Sequence, residues 1–372
     1  MDSHSADLHR RATIIDGLVF FSDGSTRDML AGGVSAINVT VSDMGADFEQ
    51  ALKDAMVWRQ RCAAPDSPWL LVECADDIVR AKQTGKLGLI MGWQNGKPLG
   101  DQVERLALFQ TLGIRVIQLT YNEANLLGDG CLEKRNAGLS DLGLKMVEEM
   151  NRIGIAIDLS HCAPQTCLDT ARHSRKPVFL THANANAVIK RPRNKSDEVI
   201  KAVAATGGVI GCSIHAYLSW RGDPRQQPLL ADFVANVKYI GELVGYGHVG
   251  IGTDFPSVDT YEAVRHVMVM SRTKYAKSGG DFSDAFGDVM EARYPVETPT
   301  PAHFSAFTEA LHQAGLSDSQ ILGVLGGNFH RALAQAWAAD GVTTEVGAGA
   351  RNRTTTGTMT AATTGTPAGT TA

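Results

Sequence analysis

Eight short runs rich in β-branched residues alternate with longer stretches of helical period, and this alternation constrains the fold more than any other feature of the chain. They are ATIID (12 to 16), VSAINVTV (34 to 41), KLGLIMGW (86 to 93), IRVIQLTY (114 to 121), GIAIDLSH (154 to 161), PVFLTHA (177 to 183), GGVIGCSI (207 to 214) and HVGIGTD (248 to 254). Most are apolar on both faces, as strands of an all-parallel sheet covered by helices must be. Between them lie amphipathic patterns such as LSDLGLKMVEEMNRIG. There Leu139, Leu142, Met146, Met150 and Ile153 recur at three and four residues, with Ser140 placed as N-cap and Gly154 as stop. Eight strand–helix units close a barrel, so the expected fold class is α/β, a (β/α)8 TIM barrel.

Helical patterns continue past the eighth run, in PAHFSAFTEALHQAG and from Ser317 to about Ala339, and predict a C-terminal helical extension. Residues 1–340 therefore read as a single barrel domain with added helices. From about Gly341 the chain is mostly Thr, Gly and Ala, so 341–372 is expected to be a disordered tail that cannot bury enough apolar surface to offset its chain entropy. The opening residues are polar, and no run approaches the length of a membrane span, so a cytoplasmic protein is expected. Six cysteines without a CxxC or a regular framework read as reduced thiols. With 35 basic and 40 acidic residues and no long run of one sign, neither nucleic acid nor membrane is an expected partner. A small-molecule ligand is.

In a (β/α)8 barrel the reacting groups stand at the carboxyl ends of the strands. Here those ends carry Thr40 and Ser42, then Gln94 and Asn95, then Tyr121, Asn122 and Glu123, and then His161, His182, His215 and Asp254. Imidazoles and a carboxylate converging on a barrel mouth are a common way to hold zinc and to position a base for its water.

These motifs resemble the renal, or membrane, dipeptidase family of zinc peptidases, a branch of the amidohydrolase-type barrels. That family carries Ser-His after its fifth strand, a second His after the sixth, and an Arg-Asn pair about eleven residues on. Gly-Ser-Asp-Phe follows after the eighth strand and Gly-Gly-Asn-Phe in a late helix. This chain has MNRIGIAIDLSH, LTHANANAVIKRPRN, VGIGTDF and ILGVLGGNFHRAL, and the resemblance runs from about Thr13 to Leu333. It implies that His161 and His182 are ligands of one metal and that Asp254 handles the proton of the attacking water. Arg193, with Asn194 beside it, is similar to the arginine that holds the substrate's terminal carboxylate, a task suited to a planar two-pronged donor. Gln94, Asn95 and His215 complete the expected substrate-facing set.

The same resemblance exposes departures. The family's His-x-Asp after the first Asp-Gly, both ligands of the first metal, is here Leu18 and Phe20; its bridging glutamate is Gln94; its fourth-strand histidine is Tyr121. An amide bridges two cations poorly, whereas a phenol can still donate to an oxyanion. A two-metal site is therefore not expected. Zero or one divalent metal remains, zinc if any, on His161 and His182 with Gln94 as third ligand and His215 or Glu123 within reach. Three functions stay open: a dipeptidase-like hydrolase of a small carboxylate-bearing amide, using at most one metal; a metal-free isomerase, lyase or elimination enzyme on a small carboxylate; or a non-catalytic homologue. The family's tendency to dimers leaves a homodimer open to this chain.

Overall fold

The computed structural model describes residues 1–20, 25–219, 227–255 and 294–338. Among the described residues there are nine parallel strands: β1 (Ile14–Val19), β2 (Val34–Thr40), β3 (Trp69–Leu71), β4 (Leu87–Trp93), β5 (Ile114–Gln118), β6 (Ala156–Asp158), β7 (Val178–Phe179), β8 (Ile210–Cys212) and β9 (Val249–Ile251). Each of the eight runs overlaps one of them. They pair in the order β7-β6-β5-β4-β2-β1-β9-β8, and a parallel bridge between Leu180 and Ile210 joins the two ends, so eight strands make a nearly closed barrel. The ninth strand, β3, is not visible in the sequence because it is only three residues long, set between Pro68 and the helix Ala75–Thr84. It pairs with the first half of β4 through Trp69–Leu87 and Leu71–Leu89, while β5 pairs with the second half through Gly92–Val116.

Local signals behave as the sequence predicts. The helix Asp141–Ile153 begins where the Ser140 hydroxyl accepts from Gly143 N at 3.0 Å, and ends at Gly154 with a left-handed φ of 82°. Ser196 caps the helix Asp197–Ala205 in the same way. All six cysteines are free thiols. The C-terminal extension is present as the helices Ser305–Gln313, Asp318–Leu322 and Asn328–Trp337, the last two joined by a π-helical turn at Gly323–Gly327. The 341–372 segment, and with it the expected domain boundary, lies outside the described residues.

That extension closes the amino-terminal end of the barrel. Asn328 donates its amide to the carbonyls of Tyr246 and Val249, both at 2.8 Å, which fixes the start of the last helix under β9. Phe329 then enters the barrel, stacks on Phe179 with ring centroids 6.2 Å apart, and packs so closely that a Cβ on Gly250 would stand 2.4 Å from its ring and one on Gly17 2.7 Å. Around it lie Ile15, Ala36, Ile90, Val116, Ala156 and Val209, the inward residues of the strands. The Gly-Gly-Asn-Phe motif is thus the plug of the barrel floor.

Candidate active site

The carboxyl ends of β6 and β7 are locked together by one buried carboxylate. Asp158 accepts from Ser160 N at 3.0 Å, Ser160 Oγ at 2.6 Å, Thr181 N at 3.0 Å and Thr181 Oγ1 at 2.8 Å. Four donors to one side chain fix the two turns that carry His161 and His182, since Ser160 and Thr181 are their immediate neighbours. Thr181 also sits at the centre of the barrel. A Cβ on Gly211 would stand 2.1 Å from its carbonyl oxygen and one on Gly252 1.9 Å, so only glycine lets β8 and β9 approach this closely.

His161 and His182 face each other, with their Nε2 atoms 3.0 Å apart. Both are buried, and burial first, then the charge of Arg193, holds both well below the usual histidine range. They are neutral imidazoles, the form that binds a metal. Thr181 spends its hydroxyl proton on Asp158, so its oxygen accepts from His182 Nδ1 at 2.9 Å, which leaves the His182 Nε2 lone pair pointing at His161. His161 Nδ1 lies 2.7 Å from Asn122 Oδ1, and the Tyr121 ring stacks on the imidazole with centroids 4.1 Å apart. Asn122, read in sequence only as a polar strand-end residue, is thus in the centre of the site.

Two nitrogens bound to one zinc at about 2.0–2.1 Å lie about 2.9–3.4 Å apart, so the observed separation suits a single ion between them. Among the described residues, no group of three or more His, Cys, Asp or Glu side chains is placed to hold a metal. A further protein ligand from these residues would have to be neutral. Gln94 has the right kind of donor: it is buried, its Nε2 donates to Thr40 Oγ1 at 3.0 Å, and its Oε1 has no hydrogen-bond partner. Leu18 is buried, and neither it nor Phe20 carries a donor atom for a second ion.

Arg193 is buried and donates to the carbonyls of Ser160 and, at 3.1 Å, His182. Lys195, also buried, donates to Cys162 O at 2.7 Å. Neither cation has an acidic partner within ion-pair distance among the described residues, although both act on His161 and His182. Asn194 and Asn95 are occupied in loop structure, the first donating to Ile189 O and Leu218 O, the second to Met44 O while accepting from Asn125. His215 Nδ1 accepts from Tyr217 N at 3.2 Å, and its ring meets Tyr294 edge to face. Glu123 is exposed.

Asp254, three residues past the end of β9, has a left-handed conformation with φ of 58°, rare for a residue other than glycine. Its backbone is held from both sides: its N–H donates to Leu18 O at 3.0 Å, and its carbonyl accepts from Tyr294 OH at 2.7 Å. Below it Asp16 plays on β1 the part that Asp158 plays on β6, accepting from Thr253 N at 2.9 Å and Thr253 Oγ1. Burial pushes the Asp16 carboxyl up to about 7 against those hydrogen bonds. A raised carboxyl means that the folded chain holds this proton more tightly than the unfolded one. The resulting stability is complete below the ordinary value of 3.8 and is lost as pH rises through about 7. The urea midpoint is accordingly expected to fall across that window, and to fall less in Asp16→Asn; the same profile in both proteins would contradict this assignment.

A nearly closed parallel barrel with an imidazole pair on adjacent strand ends is the build of the amidohydrolase-type barrels, and the solved structures agree. An amidohydrolase from Pseudomonas aeruginosa matches with a TM-score of 0.79 at 31% identity over 90% of this chain and 99% of that one. A metallopeptidase from Rhodobacter sphaeroides, liganded with a phosphinate mimic of L-Ala-D-Ala, shares the fold with a TM-score of 0.70 at 18% identity, over 88% of this chain and 99% of that one. The chain belongs to the membrane dipeptidase family, peptidase family M19, whose family model matches residues 17–274. Among its relatives, the dipeptidase tcpJ of Claviceps purpurea is 32% identical over 189 residues, which are 50% of this chain and 44% of that protein. The dipeptidase verJ of Clonostachys rogersoniana is 30% identical over 190 residues, 50% of this chain and 48% of that protein. The chain thus spans about half the length of these dipeptidases. Among the described residues no helix is long and apolar enough to cross a membrane.

Proposed function

We propose that the chain is a dipeptidase-like hydrolase of a small amide or dipeptide bearing a carboxylate, working with one divalent cation, zinc, between His161 and His182. The observation that carries this reading is the pair of Nε2 atoms 3.0 Å apart, with His182 Nδ1 bonded to Thr181 and His161 Nδ1 to Asn122. Two neutral imidazoles turned toward each other in this way need a proton or an ion between them. The bound ion supplies polarisation of the amide carbonyl and a water of lowered pKa.

The rest of the work falls to the chain. Asp254, on its backbone fixed from both sides, is the base that takes the proton of the attacking water and passes it to the leaving amine. Tyr121 donates toward the developing oxyanion. His215 and Gln94 line the same mouth, with the Gln94 carbonyl oxygen as the neutral third ligand, whereas Asn95 and Asn194 hold the loops. The substrate's carboxylate belongs to Arg193, because a buried guanidinium without an acid is costly until an anion reaches it. Arg193→Met is therefore expected to remove the preference for a free carboxylate. The ratio of kcat/KM between a dipeptide and its C-terminal amide should fall by about tenfold or more, the worth of a charge-assisted hydrogen bond of about 1.5–3 kcal/mol. An unchanged ratio would place the carboxylate elsewhere.

A second reading rests on the two cations. Arg193 and Lys195 oppose a dication, so a metal-free acid–base enzyme acting on a small carboxylate is the competing function. A panel of Xaa-Gly and D-Ala-containing dipeptides, assayed after chelation and again with added zinc, separates the two. Zinc-dependent release of amino acids supports the hydrolase, and no turnover in either condition sinks it.

A further inference from the structure

We infer that Asn122 is a positioning residue that sets the tautomer of His161 and thereby decides whether the histidine pair is open to a cation. The inference rests on the one-cation reading above for its zinc arm, and on hydrogen-bond geometry alone for the rest.

Asn122 is fully buried, and its side chain has two neighbours. Oδ1 lies 2.7 Å from His161 Nδ1 and 3.4 Å from Cys131 Sγ, while Nδ2 has no hydrogen-bond partner. In this arrangement His161 donates from Nδ1, so its Nε2 carries a lone pair. His182 also presents a lone pair at Nε2, because its Nδ1 proton goes to Thr181. Two lone pairs 3.0 Å apart repel unless an ion lies between them.

A half-turn of the Asn122 amide changes every element of this. Nδ2 then donates to His161 Nδ1, the imidazole proton moves to Nε2, and His161 donates directly to His182 Nε2. The buried amide donor is satisfied, and the facing nitrogens become a hydrogen bond. Cys131 accommodates both orientations, since a thiol is a weak donor to Oδ1 in one and a weak acceptor from Nδ2 in the other. The turn Gly130–Cys131 keeps the amide in place, with Cys131 N donating to His161 O at 2.7 Å and no room at Gly130 for a Cβ against the Asn122 backbone. The metal-free site therefore rests with Nδ2 toward His161, and the cation-bound site with Oδ1 toward it. Partners that orient a ligating histidine typically change metal affinity by about 10–100-fold.

The test compares the wild type with Asn122→Asp, which can only accept, and Asn122→Leu, which can do neither. Two-bond 1H–15N correlations on 15N-histidine-labelled, metal-free protein read the His161 tautomer, and zinc chloride titrated against a competing chelator reads affinity. Thermal unfolding shows that each variant is folded. The wild type is expected to carry the His161 proton at Nε2 and Asn122→Asp at Nδ1. Zinc should bind Asn122→Asp at least about tenfold more tightly than wild type, and Asn122→Leu at least about tenfold more weakly. The same tautomer in wild type and Asn122→Asp, or zinc affinities within threefold of one another, would overturn the inference. A tautomer shift without zinc uptake by any of the three proteins would overturn the cation reading and leave the control of His161 by Asn122 standing.

Discussion

His161→Ala is expected to lose zinc and hydrolysis together. The site offers one cation two imidazoles and, among the described residues, neutral oxygen donors, so removing either imidazole leaves a set too poor to hold it. The cation's stabilisation of transition-state charge is worth several kcal/mol, so kcat/KM should fall by at least about 10³ at one tenfold per 1.36 kcal/mol. Metal analysis of the purified variant and dipeptide turnover check the two losses separately. A variant that keeps its turnover would exclude His161 from any catalytic role, with or without a metal. A variant that loses turnover and retains zinc would move the metal elsewhere.

Phe329→Ala is expected to be the most damaging single truncation for stability, although its position lies far along the chain from the strands it supports. The ring fills the space below Gly17 and Gly250, and Gly17 in turn lies against the Thr181 carbonyl, with 2.4 Å from a Cβ to that oxygen. Strands this rich in glycine cannot close the gap with their own side chains, so the cavity persists. Truncating a buried Phe costs about 3–5 kcal/mol when the surroundings do not collapse. Equilibrium urea unfolding should show that loss as a lower midpoint, and an effect below about 1 kcal/mol would mean that the floor repacks. Because Thr181 stands above the plug and orients His182, the variant should also show a weaker zinc affinity than its residual folded fraction explains.

The barrel was legible because parallel strands buried on both faces announce themselves as apolar β-branched runs, and eight of them could be counted. β3 was not, since three residues of Trp-Leu-Leu between a proline and a helix carry no periodicity. The site divides in the same manner. His161, His182 and Asp254 stood out because strand ends in a barrel mark where chemistry sits. Asn122 stood at such an end as well, but its meaning is a contact with a histidine 39 residues away, which no spacing rule encodes. The left-handed φ of Asp254 was equally hidden, because the sequence Gly-Thr-Asp-Phe says nothing of the Leu18 and Tyr294 contacts that impose it. Gly-Gly-Asn-Phe was visible as a motif, yet only the fold reveals that it seals the floor opposite the site.

The departures from the family pattern now have a physical place. The resemblance expects metal donors where Leu18 and Phe20 stand and a charged bridge where Gln94 stands, while the hydrogen bonds around the histidine pair are in place. Asp158 clamps the two histidine turns, and Arg193 donates to the carbonyls of Ser160 and His182.

The account turns on one ion per chain. Protein stripped with a chelator and titrated with zinc, with bound metal and dipeptide hydrolysis followed on the same samples, should regain activity in proportion to occupancy and reach its plateau at a single zinc per chain. Full activity in the stripped protein, or a plateau only at two, would contradict it.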